Sequence, residues 1–114
     1  MNEEEYEIYK NEAYTQADEL LESKDFDKLD EKNDINSIEK ILFEVTTEYL
    51  KGSITLGLFS TICSQFEAAL TFHNLSQKAK DTVYLGIDLD YYSYIDVNLD
   101  EVKKLNQKIS ELIK

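Results

Sequence analysis

Residues 55–72 read Thr55-Leu-Gly-Leu-Phe-Ser-Thr-Ile-Cys-Ser-Gln-Phe-Glu-Ala-Ala-Leu-Thr-Phe72, and this stretch decides the fold class. Phe59, Ile62, Cys63, Phe66, Ala69 and Leu70 recur at three- and four-residue intervals, the period of one helix face. The face is wide and almost free of charge, so other elements must cover it. Thr55 or Ser53 supplies an N-cap, and His73 and Asn74 follow the last turn.

The same period extends in both directions. Upstream, Ile38, Ile41, Leu42, Val45 and Tyr49 form a stripe behind a capping box at Asn36 and Glu39, and Gly52 stops it. Downstream, a helix opening at Asn74 to Gln77 carries Ala79, Val83 and Ile87, with Gly86 expected to weaken or bend it. A last helix opens at Asn98 and Glu101 and turns Leu99, Val102, Leu105, Ile109, Leu112 and Ile113 inward. At the other extreme, residues 3–22 place Tyr6, Tyr9, Ala13, Ala17, Leu20 and Leu21 at helical spacing. Residues 23–34 break the pattern with mixed charge, Asn and Asp. They read as a loop that Phe26 and Leu29 pin to the core. The expectation is one all-α domain, an antiparallel four- to five-helix bundle, with helix 3–22 added to a bundle spanning residues 36–113.

The totals agree. The chain has 114 residues, no proline and three glycines, with 42% hydrophobic residues, enough for one core without metal or disulfide staples. The net charge is −12, and all twelve basic residues are lysine. Direct binding to nucleic acid or to an anionic membrane is disfavoured, because both need a basic surface. A basic protein is the partner this charge attracts. The absence of arginine removes the bidentate clamp used for phosphates and carboxylates. The opening Met-Asn-Glu-Glu-Glu-Tyr lacks the features of a signal peptide and no apolar run spans a bilayer, so a cytoplasmic location is expected.

Catalytic and metal chemistry find little support. His73 is the single histidine, at a helix end, where capping is the simpler role. Cys63 lies on an apolar stripe as a small hydrophobe. Two segments resemble a calcium loop, starting at Asp25 and at Asp96. Both lack the sixth-position glycine, carrying Asp30 and Glu101 there, and the closing glutamate is Asn36 in one and Gln107 in the other. No Glu-x-x-His pair or phosphate loop occurs. The chain reads as a non-enzyme without cofactor or metal.

Residues 83–96, Val-Tyr-Leu-Gly-Ile-Asp-Leu-Asp-Tyr-Tyr-Ser-Tyr-Ile-Asp, stand apart. Four tyrosines and three aspartates lie together without a basic residue. This mixture supplies rigid apolar area with polar tips and suits a binding surface. Asp88 and Asp90, with Tyr91, Tyr92 and Tyr94, are the candidate contact residues, presenting carboxylates spaced somewhat like phosphates on a nucleic-acid strand. Alternate residues of the run are expected to turn inward, Tyr84 and Tyr91 foremost, with the aspartates outward. The acid-rich face of residues 3–22 reads as solvated surface.

Tyr49-Leu50-Lys51, then Ser53-Ile54-Thr55 and Phe59, resemble the colicin D immunity protein family. This is a group of bacterial toxin immunity proteins that includes those of contact-dependent inhibition. The resemblance covers roughly residues 38–113, including the acidic stretch from Asp88 to Asp96 and the closing amphipathic helix. It implies an antiparallel helical bundle that binds and inactivates a cognate tRNA-cleaving toxin nuclease, with acidic residues standing in for tRNA phosphates. Carried onto this chain, that role falls on Asp88 and Asp90, and then on Asp96 and Glu67. The helix 3–22 lies outside the family pattern. A second reading shares the electrostatics: a phage-type acidic nucleic-acid mimic that inhibits a defence nuclease or another DNA-binding protein. A third is an adaptor bundle with no inhibitory role. Self-association into a homo-oligomer is open.

Overall fold

The computed structural model describes residues 2–90 and 99–114, and within them six helices and no strand. They are α1 (Glu3–Ser23), α2 (Phe26–Glu31), α3 (Ile35–Leu50), α4 (Leu56–Phe72), α5 (Gln77–Asp90) and α6 (Leu99–Leu112). This is the all-α bundle expected, with one short helix more.

α4 is the central element. Phe59, Ile62, Cys63 and Phe66 are fully buried, and around them pack Ile38, Leu42 and Val45 of α3, Ala79, Val83 and Leu89 of α5, and Ile109 of α6. The buried hydroxyls of Thr46, Thr61 and Thr82 donate to carbonyls one turn back, and that of Ser60 to the Gly57 carbonyl, so these polar side chains enter the core satisfied.

Specific contacts fix the helix directions. Tyr9 lies against Gly57 and Asp18 bonds Gln65, so α1 runs alongside α4 in the same direction. Gly86 lies against Cys63 and Asp90 meets Ser60, so α5 runs opposite to α4. Asp81 and Leu85 line one groove with Lys108, Glu111 and Leu112, which sets α6 antiparallel to α5. Each long helix therefore reverses the one before it. α1 begins, α5 ends and α6 begins at one end of the bundle.

Several helix boundaries differ from the sequence reading. The segment taken as loop contains α2, bracketed by Asp25 (φ 58°) and Asn33 (φ 54°). Asp and Asn tolerate this left-handed backbone, so they close off a short helix. Phe26 does reach the core, with its ring 5.1 Å from that of Phe66. The cap of α3 is Asp34 and not Asn36, because the Asp34 carboxylate accepts from both the backbone N–H and the hydroxyl of Ser37. Glu39, freed from a capping box, accepts from the Ser76 hydroxyl. Ser76, not Asn74, caps α5 through the Ala79 N–H. α5 continues through Gly86 to Asp90 without interruption. Leu99 is 64% exposed and not inward, since α6 starts there and its buried line begins at Val102.

Residues 49–59 span the α3–α4 turn. Lys51 caps α3, Gly52 takes φ 82°, Thr55 caps α4 through the Leu58 N–H, and Tyr49 stacks on Phe59 at 4.5 Å. The Tyr49 hydroxyl donates to Asn106 Oδ1 at 2.7 Å, tying the turn to α6.

Candidate partner-binding surface

α5 carries the part of the acidic aromatic run that the structure describes. A helix turns about 100° per residue, so neighbouring residues of α5 face different surroundings. Asp88 is exposed, Leu89 is fully buried, and Asp90 points to α1. The two aspartates therefore do not stand side by side as a pair of phosphate mimics. Tyr91, Tyr92, Tyr94 and Asp96 lie outside the described residues. Tyr84 is 52% exposed and lies one turn before Asp88 on the same outer face, which corrects its expected place in the core. Residues 79, 82, 83, 86 and 89 already fill the inner face of α5, which leaves position 84 pointing outward. Glu67 is exposed on α4, about two turns beyond Ser60 and away from the Asp90 end.

Asp90 is held at a three-helix junction. Lys10 Nζ donates to Asp90 Oδ1 at 2.6 Å, and the Ser60 hydroxyl lies 3.3 Å from the same oxygen. Beside them, Tyr9 lies where a Cβ on Gly57 would stand, 1.5 Å from the Tyr9 hydroxyl oxygen, so the Tyr9 ring takes this place only over a glycine. Lys10 Nζ also sits 5.9 Å and 5.6 Å from the ring centroids of Tyr6 and Tyr14. Burial works against the Lys10 charge, but the hydrogen bond and charge of Asp90 outweigh it and raise its pKa. Burial raises the Tyr9 pKa, with Lys10 opposing. The sequence held one signal for this junction: Lys10 is the single lysine among the eight carboxylates of α1.

The end of the bundle that holds this junction carries acid from three helices. The first turns of α1 bring Glu3, Glu4, Glu5 and Glu7, all exposed. α5 ends there with Asp88, and α6 begins with Asp100 and Glu101.

At the opposite end, the His73 ring nitrogens lie 2.5 Å from Asn33 Oδ1 and Asp30 Oδ1. The histidine thus ties the α2–α3 turn to the end of α4, while its backbone N–H bonds the Ala69 carbonyl as the helix closes. Cys63 is fully buried, and burial pushes its thiol far above the ordinary range, which makes it a poor nucleophile. Among the described residues, no three His, Cys, Asp or Glu side chains converge to hold a metal, and no helix is long and apolar enough to cross a membrane. Comparisons with protein-family models, with curated proteins and with solved structures returned no match.

Proposed function

We propose that this chain is an immunity-type inhibitor, a non-catalytic acidic bundle that covers the basic active site of a tRNA-cleaving nuclease toxin. The observation that carries the reading is the gathering of carboxylates from α1, α5 and α6 at one end, where Lys10 and Asp90 join α1 to α5. A nuclease that grips phosphates with cationic side chains meets a complementary field there, which speeds encounter and fixes orientation. Asp88 is the exposed carboxylate of α5 offered to the toxin, and Tyr84 supplies rigid area beside it. Asp90 acts indirectly, as the residue that holds α1 in place. The resemblance at Tyr49 to Phe59 supports the same assignment through the α3–α4 turn.

The test is to capture partners from lysate of the source organism at low and high salt, and to assay each for tRNA cleavage with and without the chain. A single salt-resistant nuclease domain silenced by one equivalent sustains the proposal. Many unrelated basic proteins, all released by salt, overturn it. Capture of a defence nuclease acting on DNA replaces it with the nucleic-acid mimic.

A further inference from the structure

α5 and α6 leave a groove of about 400 Å3 between them, lined by Asp81 and Leu85 of α5 and by Lys108, Glu111 and Leu112 of α6. Its apolar floor is Leu85 and Leu112, both only partly buried by the bundle. Tyr84, the neighbour of Leu85 in sequence, lies outside the groove's lining at 52% exposure, and Asp88 is exposed one turn further along the same helix. A buried aromatic or aliphatic centre within a charged rim is the arrangement that concentrates binding energy in protein interfaces. The bundle itself does not need the exposed tyrosine, since the inner face of α5 is complete without it.

We propose that this groove takes an apolar side chain of a basic protein partner, flanked by cationic residues that reach Asp81 and Asp88. The proposal rests on reading the chain as a binder of a basic protein, and it adds the second half of the contact, an anchor that salt does not screen. Charge selects the occupant. Asp81 and Glu111 outnumber the one lining lysine, Lys108, and the whole chain carries −12. A second copy would bring like charge onto like charge, whereas a segment with arginine on either side of leucine matches both floor and rim.

The probe is a synthetic peptide with one leucine flanked by arginines, compared with a peptide identical except for glutamine in place of leucine. Both are titrated into the 15N-labelled full-length protein at low and high salt. The expected result is roughly tenfold tighter binding of the leucine peptide, the worth of one buried leucine side chain. Shifts should centre on Tyr84, Leu85 and Leu112, and binding should survive in salt. Leu112→Ser, at the last residue of α6 on the groove floor, should erase the difference between the peptides while leaving helicity intact. Equal affinity for both peptides, with shifts spread over α1 and α5 alike, overturns the groove. Concentration-dependent self-association that Leu112→Ser abolishes also overturns it, by making the groove a contact between copies. If the groove fails while tRNA cleavage is still silenced, the inhibitor acts through its acidic end alone, so the two proposals fall separately.

Discussion

Lys10 and Asp90 are eighty positions apart in sequence and 2.6 Å apart in space, and they join the first helix to the last residue of the fifth. Their side chains are 15% and 28% exposed, so the pair is partly desolvated and removing either partner leaves the other charge unpaired. α1 otherwise buries only Ala13, Ala17 and Leu21, a small apolar contribution for a helix of 21 residues. The polar junction therefore carries an unusual share of its docking.

Lys10→Met and Asp90→Asn should each destabilise the protein by about 1–3 kcal/mol, the range for a hydrogen bond to a charged group. The double variant should cost less than the sum, because the two act through one contact. Hydrogen exchange should show the loss in the first turns of α1. Additive losses spread evenly over α3 and α4 would refute the junction.

Gly57 and Gly86 should respond differently to alanine. At Gly86 the new Cβ would stand 2.2 Å from Cys63 Sγ and 2.8 Å from Cys63 Cβ, inside the core. Overpacking there should cost about 1–3 kcal/mol and lower the melting temperature of the whole bundle. At Gly57 it would meet the far end of the Tyr9 side chain, which can swing aside. Gly57→Ala should therefore loosen α1 while leaving α3 to α6 protected. Protease digestion of both variants separates the cases.

Alkali should unfold the protein before acid does any comparable harm through these groups. Burial raises the pKa of Cys63, Tyr9 and Tyr49, and Asp90 holds Lys10 raised against its burial. In every case the folded state keeps a proton that the unfolded chain releases, so stability falls as pH rises. The decline should begin near pH 9, the ordinary value for the thiol, and steepen above 10, where tyrosine and lysine follow. Denaturant titrations from pH 7 to 11 test it, and a flat midpoint across that range would contradict the assigned burial.

Tyr49→Phe should cost about 1 kcal/mol, because it removes the bond to Asn106 Oδ1 while keeping the stack on Phe59. The cost should nearly vanish in an Asn106→Leu background, where no acceptor is left unpaired. Chemical denaturation of the four proteins reads the coupling directly.

On the proposed function, Asp88→Ala should weaken nuclease binding by about 2–5 kcal/mol if the carboxylate becomes desolvated in the complex. The protein's own stability should barely change, since Asp88 is exposed. Asp90→Asn should weaken binding only as far as it loosens α1. Calorimetry alongside thermal melts separates the two aspartates, and equal effects on affinity at unchanged stability would reject the division of roles.

The sequence by itself determined the five long helices and most of their inward faces, but not the short α2. Phe59, Ile62, Cys63 and Phe66 announced the central helix because a 3.6-residue period needs no partner to be recognised. Gly52 and Thr55 marked the α3–α4 turn through local backbone and capping chemistry. Boundaries were legible only where one residue could do the job. Asn36 and Asn74 were as eligible to cap as Asp34 and Ser76, and the choice fell to which oxygen the folded first turn could reach. Tertiary structure alone decided the site. Nothing local distinguishes Asp88 from Asp90, yet α5 packs so that one faces water and the other faces Lys10. Tyr84 was pushed outward because five neighbours had already filled the inner face of its helix. Periodicity is a property of the chain, whereas the partner across a helix–helix seam depends on how the helices stack.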